Sequence, residues 1–61
     1  MGDIVQIAVT VVRDEKEDKA ILVKYLGKQV WIPRRAIEAT KPDGNRLLIT
    51  IPSNLYRSKF E

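Results

Sequence analysis

The sequence predicts a small, mainly β domain of the barrel type, and three observations carry that prediction. Residues 4–12 alternate aliphatic with small or polar side chains at the period of two that marks a half-buried strand. Runs rich in Val, Ile and Leu recur at 20–25, 29–32 and 46–51, each bounded by Gly, Pro or charged residues. The chain has 61 residues and no Cys, so it makes one domain held by packing alone. A chain of that size buries only about 60% of its unfolded surface.

In the first strand Val5, Ile7, Val9 and Val11 form the expected core face, with Gln6, Ala8 and Thr10 opposite. Ile4 and Val12 blur the ends, as they do where a strongly curved strand serves two sides of a small barrel. Residues 13–19 mix Asp14, Glu15, Glu17 and Asp18 with Arg13, Lys16 and Lys19. Such a mixed run cannot be buried and predicts a solvated turn between two strands rather than a binding tail. Residues 20–25 form the second strand, and Leu26-Gly27-Lys28 a tight turn in which Gly27 takes the positive φ. Residues 29–32 form the third strand, ended by Pro33, which lacks an amide donor and can open a helical turn or connector over 34–39.

Lys41-Pro42-Asp43-Gly44-Asn45 carries the strongest turn signal in the chain. The fourth strand, residues 46–51, places Leu47, Ile49 and Ile51 on one face and Arg46, Leu48 and Thr50 on the other, and Pro52 stops it. Ser53 is expected to cap a short C-terminal helix in which Leu55, Tyr56, Lys59 and Phe60 recur at helical spacing, bringing Tyr56 and Phe60 back onto the sheet. A frayed tail is the alternative. Four to five strands in this arrangement give an SH3-like or an OB-like barrel, whose closure removes exposed strand edges. The pattern leaves both topologies open.

Composition removes most chemistry. Without His or Cys there is no Ser/His triad, no thiolate nucleophile and no zinc site of the usual kind. The carboxylates Asp3, Asp14, Glu15, Glu17, Asp18, Glu38, Asp43 and Glu61 fall mostly in predicted turns, where no pocket raises a pKa for acid catalysis. The acidic cluster at 14–18 lacks the Gly and terminal Glu of a calcium loop. Gly27-Lys28 is followed by Gln29 and lacks the rest of a phosphate loop. The expectation is a protein that is not an enzyme and uses no metal or cofactor. No apolar run approaches the roughly 20 residues of a membrane helix, and Met1-Gly2-Asp3 lacks the regions of a signal peptide, so a cytoplasmic location is expected. Myristoylation at Gly2 wants Ser or Thr at position 6, where this chain has Gln6.

What remains is a binding face. The net charge is +3, but between Lys24 and Lys41 five cations, Lys24, Lys28, Arg34, Arg35 and Lys41, face Glu38 alone. The only Trp lies in the same stretch. If Val30 and Ile32 are core, strand parity turns Trp31 outward. For residues 20–25 both faces are apolar enough to leave the orientation of Tyr25 open. With Tyr25 and Trp31 on the open face, rings for base stacking would stand beside cations for phosphates, the two parts of a single-strand site. The candidate nucleic-acid-binding residues are therefore Lys24, Tyr25, Lys28, Trp31, Arg34, Arg35 and Arg46. The competing reading has the rings closing the barrel and the cations merely solvated.

The run Lys19-Ala20-Ile21-Leu22-Val23, a Gly-containing turn, and Val30-Trp31-Ile32-Pro33-Arg34 resembles small proteins of phage and prophage genomes. Those proteins carry a Trp-aliphatic-Pro-basic-Ser motif, and Arg35 stands here in place of the Ser. The similarity extends to Ile51-Pro52, an aliphatic-Pro pair also found in that family, and implies a compact β protein with no assigned reaction. More loosely, the same residues are similar to the RNA-binding OB repeats of the small ribosomal subunit. That resemblance implies ligand-facing positions for Ile21 and Trp31, although Ile21 stands where those repeats place a stackable ring and Pro33 where they have Ser.

The expected partner is nucleic acid, single-stranded rather than duplex. The reading from a different class is a protein-interaction module that pairs through an exposed strand edge or the Trp31 surface, a homodimer included.

Overall fold

A computed structural model describes residues 3–61; Met1 and Gly2, on which the argument against myristoylation bears, lie outside the described residues. Five antiparallel strands, β1 (Ile4–Arg13), β2 (Ala20–Tyr25), β3 (Lys28–Pro33), β4 (Ala39–Asp43) and β5 (Arg46–Pro52), form one sheet in the order β3-β2-β1-β5-β4. Helix α1 (Ser53–Phe60) follows. No pairing joins β3 to β4 among the described residues, so the sheet is open.

The ten-residue β1 belongs to two half-sheets. Its first part pairs with β5 from Ile4↔Pro52 to Val9↔Leu47, and its last part with β2 through Thr10↔Lys24, Val11↔Val23 and Arg13↔Leu22. The register slips between Val11 and Arg13, where Val12 is the extra residue of a β-bulge. A bulge bends and twists its strand. That explains why the period-two pattern fades at Val12: Val11 and Val12 are both exposed.

The core is Ile7 and Val9 of β1, Ile21 and Val23 of β2, Ile32 of β3, and Ile49 and Ile51 of β5. Every one is β-branched and suited to a pleated surface. They form a single cluster drawn from both half-sheets. With one eight-residue helix as the only other element of size, such burial requires the sheet to curl over its own inner face. Each of these side chains contributes about 1.5–3 kcal/mol through burial.

Several sequence expectations are corrected. The turn expected over 41–45 is confined to Gly44-Asn45, because Ala39–Asp43 is a strand that pairs with β5 from Ala39↔Thr50 to Asp43↔Arg46. The strand at 46–51 is thus the fifth, not the fourth. Pro42 is accommodated because β4 is an edge strand, where a missing amide donor costs no ladder bond. The helical turn expected over 34–39 is a single 3-10 turn, Arg34–Ala36. Lys28 opens β3 instead of closing the preceding turn, and Pro33 is the last residue of β3, opposite Ala20. Ser53 is not a cap: Pro52 occupies the N-cap position without a side-chain hydrogen bond, and the Ser53 amide donates to the Asp3 carbonyl at 2.8 Å.

Helix α1 returns to the sheet as expected. Leu55, Tyr56 and Phe60 pack against the core cluster, and Tyr25 at the end of β2 meets them. The Tyr25 ring lies edge-on to Phe60 at 5.2 Å and to Tyr56 at 6.2 Å, and Tyr56 and Phe60 are 5.4 Å apart. Such pairs add about 0.5–1.5 kcal/mol each beyond area burial.

The Tyr56 pKa is raised above its ordinary value, chiefly by the neighbouring Tyr25 side chain, then by desolvation, then by charge repulsion from Tyr25 and Glu61. A raised phenol pKa means that the folded state holds the proton to higher pH than the unfolded chain. This contribution to stability is complete below about pH 10 and is lost as pH rises through the folded value. In Tyr25→Phe the ionisation of Tyr56, followed by phenolate absorbance, is expected closer to pH 10 than the upper phenolate step of the wild-type protein. An unmoved step would show that Tyr25 is not the cause.

Candidate nucleic-acid interface

Cross-strand pairing decides which side chains share a face, since directly opposed residues point the same way. Ile21↔Ile32 and Val23↔Val30 face the core. Leu22↔Trp31 and Lys24↔Gln29 therefore face outward, and Thr10, opposite Lys24 on β1, continues that face. Trp31 is 43% exposed, half-covered by its neighbours and open to a ligand. Because Trp31 lies two residues beyond Gln29, it is diagonal to Lys24, a spacing of about 7–8 Å that long side chains and rings bridge.

Tyr25 does not join Trp31. It follows Lys24 and turns to the inner side, where Tyr56 and Phe60 hold it. The arrangement with both rings on the open face is thus not realised, and Trp31 is the one ring available there. Ile21, ligand-facing in the OB-repeat resemblance, is a core residue.

The basic cluster also divides. Arg34 is turned back onto the loop between β1 and β2: its guanidinium pairs with the Asp14 carboxylate and donates to the carbonyls of Glu15 at 2.6 Å and Asp18 at 2.7 Å. Its own amide donates to the Lys19 carbonyl at 2.9 Å. Arg13 pairs with Glu15 at 3.1 Å and Asp18 at 3.7 Å. The loop that reads as merely solvated is therefore clamped, and its carboxylates neutralise Arg13 and Arg34. Lys24, Lys28, Arg35, Lys41 and Arg46 make no ion pair among the described residues. Lys28 lies opposite Tyr25 at the β3 edge, and Arg35 is exposed in the 3-10 turn.

Lys24 and Arg46 are brought together by the way β1 changes partners. β2 ends and β5 begins on opposite sides of β1, and between them lies an open groove of about 460 Å³. Its lining is Ala8 and Thr10 from β1, Lys24 and Tyr25 from β2, the turn residues Leu26 and Gly27, and Arg46 from β5. No carboxylate lines it; Asp43 stands across the hairpin from Arg46 without an ion pair. Lys24 and Arg46 thus stand without ion pairs over small, uncharged side chains, an arrangement chemically able to accept an anion. The outward parity of Ala8 and Thr10 was readable in the sequence, but their position beneath two cations depends on the pairing. No protein family, curated protein or solved structure matches the chain.

The Arg34 clamp is a stability element, separate from the groove. Its side chain is 38% exposed, so the charged hydrogen bonds are discounted for solvent screening. Arg34→Ala is expected to lower unfolding free energy in urea by about 1–2 kcal/mol, with little recovery in Arg34→Lys because an ammonium lacks the planar fork. An unchanged urea midpoint in Arg34→Ala would refute the clamp.

Proposed function

We propose that the protein is a non-enzymatic nucleic-acid-binding domain that takes single-stranded DNA or RNA across the outward face of its sheet. The observation that carries this reading is the shared face of half-exposed Trp31 and Lys24, with Lys24 opening into a cationic groove opposite Arg46. A base stacks on Trp31, and the neighbouring phosphate sits between Lys24 and Arg46. Lys41, which pairs with Leu48 on the same face, extends the track. A stacked base contributes about 1–3 kcal/mol in sites of this kind. A single strand fits because its bases are free to splay onto a ring, whereas bases in a duplex are not.

We also propose that the curled sheet works as a small barrel of SH3-like rather than OB-like type. Every pair of neighbours in β3-β2-β1-β5-β4 is consecutive in sequence except β1 and β5, and closure of β3 onto β4 would complete an up-and-down order. An OB barrel is a Greek key. The cytoplasm is the compartment this reading implies.

A second reading is supported by the exposed Ile4, Val11, Val12 and Trp31 and by the open β3 edge: a protein-interaction module, with a second copy as the simplest partner. Concentration-dependent light scattering together with protection of Trp31 from a quencher favours it over the first.

Titration of labelled single-stranded DNA and RNA at two salt concentrations tests the first reading. Three phosphates neutralised by Lys24, Lys41 and Arg46 give a log–log salt slope of about −2, a roughly twentyfold loss of affinity for a fourfold rise in salt. Lys24→Ala and Arg46→Ala are each expected to reduce that slope by about 0.7. Trp31→Ala is expected to cost at least about fivefold in affinity with the slope unchanged. Absence of binding at low salt, or binding indifferent to Trp31→Ala, rejects the proposal.

A further inference from the structure

The turn between β2 and β3 holds a residue that the fold does not favour. Tyr25↔Lys28 is the last pair of the hairpin, so Leu26 and Gly27 form a two-residue turn. Both have positive φ, 51° for Leu26 and 81° for Gly27, the signature of a type I′ turn. Such turns favour Asn-Gly, Asp-Gly or Gly-Gly, whereas the left-handed conformation is unfavourable for a residue that carries a Cβ. Leu26 is the only residue other than glycine with positive φ among the described residues. Its side chain brings no compensation from packing, since it is 80% exposed, the most exposed large apolar side chain among the described residues. A Cβ at Gly27 would meet nothing within 4 Å, so crowding does not dictate the composition of the turn.

Backbone strain of this kind concentrates where function uses it. Leu26 lines the groove with Lys24 and Arg46, and Lys28 follows the turn. The tip therefore carries an apolar side chain on a stiff two-residue loop beside unpaired cations. Apolar side chains presented among cations in this way insert between neighbouring bases and unstack them, while the cations hold the phosphates.

We infer that Leu26 is a base-contacting wedge: it inserts against the base whose phosphate lies between Lys24 and Arg46, one step along the strand from the base on Trp31. The inference rests on the proposed nucleic-acid function and sharpens its substrate class to strands whose bases unstack readily. An acidic protein segment would satisfy Lys24 and Arg46 equally, but a single strand of nucleic acid sets a flat base beside every phosphate, within reach of an apolar side chain next to the cations. The wedge adds binding free energy that the two cations cannot supply, because their contribution falls with salt.

The experiment uses Leu26→Asn, which installs the preferred Asn-Gly turn, and Leu26→Gly as a second variant with the same expectation. Both are expected to keep or raise the thermal midpoint while weakening binding of a mixed-sequence single-stranded oligonucleotide by about tenfold, with the salt slope unchanged. Leu26→Met, which keeps an apolar side chain, is expected to stay within about twofold of wild type. A fluorescent adenine analogue in the oligonucleotide should brighten on binding wild-type protein and not on binding Leu26→Asn. Wild-type affinity in a folded Leu26→Asn or Leu26→Gly variant would overturn the wedge while leaving the stacking site on Trp31 intact. No binding of the oligonucleotide by the wild-type protein at low salt would overturn both.

Discussion

The division of β1 between two half-sheets is the constraint on which the rest of the molecule depends. One strand pairs with β5 up to Val9 and with β2 from Thr10 onward. It exchanges one neighbour for the other between Val9 and Thr10 and carries a bulge at Val12 that adds local twist, and the two halves together exclude water from seven β-branched side chains. A domain of this size has no second sheet to supply that cover. A straight β1 would leave Ile21, Val23 and Ile32 on one exposed face and Ile49 and Ile51 on another.

The same geometry makes the site. Where β1 changes partners, the end of β2 and the start of β5 flank it from opposite sides, and the floor between them carries only Ala8 and Thr10. Cations that are distant in sequence, Lys24 and Arg46, then face one groove. The opposite arrangement holds at the loop between β1 and β2, where Asp14, Glu15 and Asp18 are taken up by Arg13 and Arg34. Acidic charge is thus paired with arginines on the surface of one loop, while Lys24 and Arg46 make no ion pair at the groove. A modest net charge conceals this segregation.

Aromatic residues divide in a similar way. Tyr25, Tyr56 and Phe60 are used to seat α1 on the sheet, and Trp31 alone remains outside. The outward face therefore presents one ring, not two, and Leu26, with its positive φ, lines the groove together with Lys24 and Arg46.

The sequence by itself determined the strands at 4–12, 20–25 and 46–51, because each follows from side-chain alternation within a few residues; it left open whether the tail forms a helix or frays and whether Trp31 faces outward or closes a barrel. Tertiary structure decided the remainder. β4 was hidden because Pro42 argues against a strand unless the strand lies at an edge, and edge position is a property of the whole sheet. Arg34 and Arg35 are adjacent in sequence and look alike, yet one clamps a loop whose residues lie about twenty positions away and the other is exposed, a distinction made by loop closure alone. Tyr25 could face either way until α1 packed against it. The placement of Lys24 and Arg46 on one groove, with Leu26 in its lining, depends on where β1 exchanges one neighbour for another, and no local pattern of residues encodes that point.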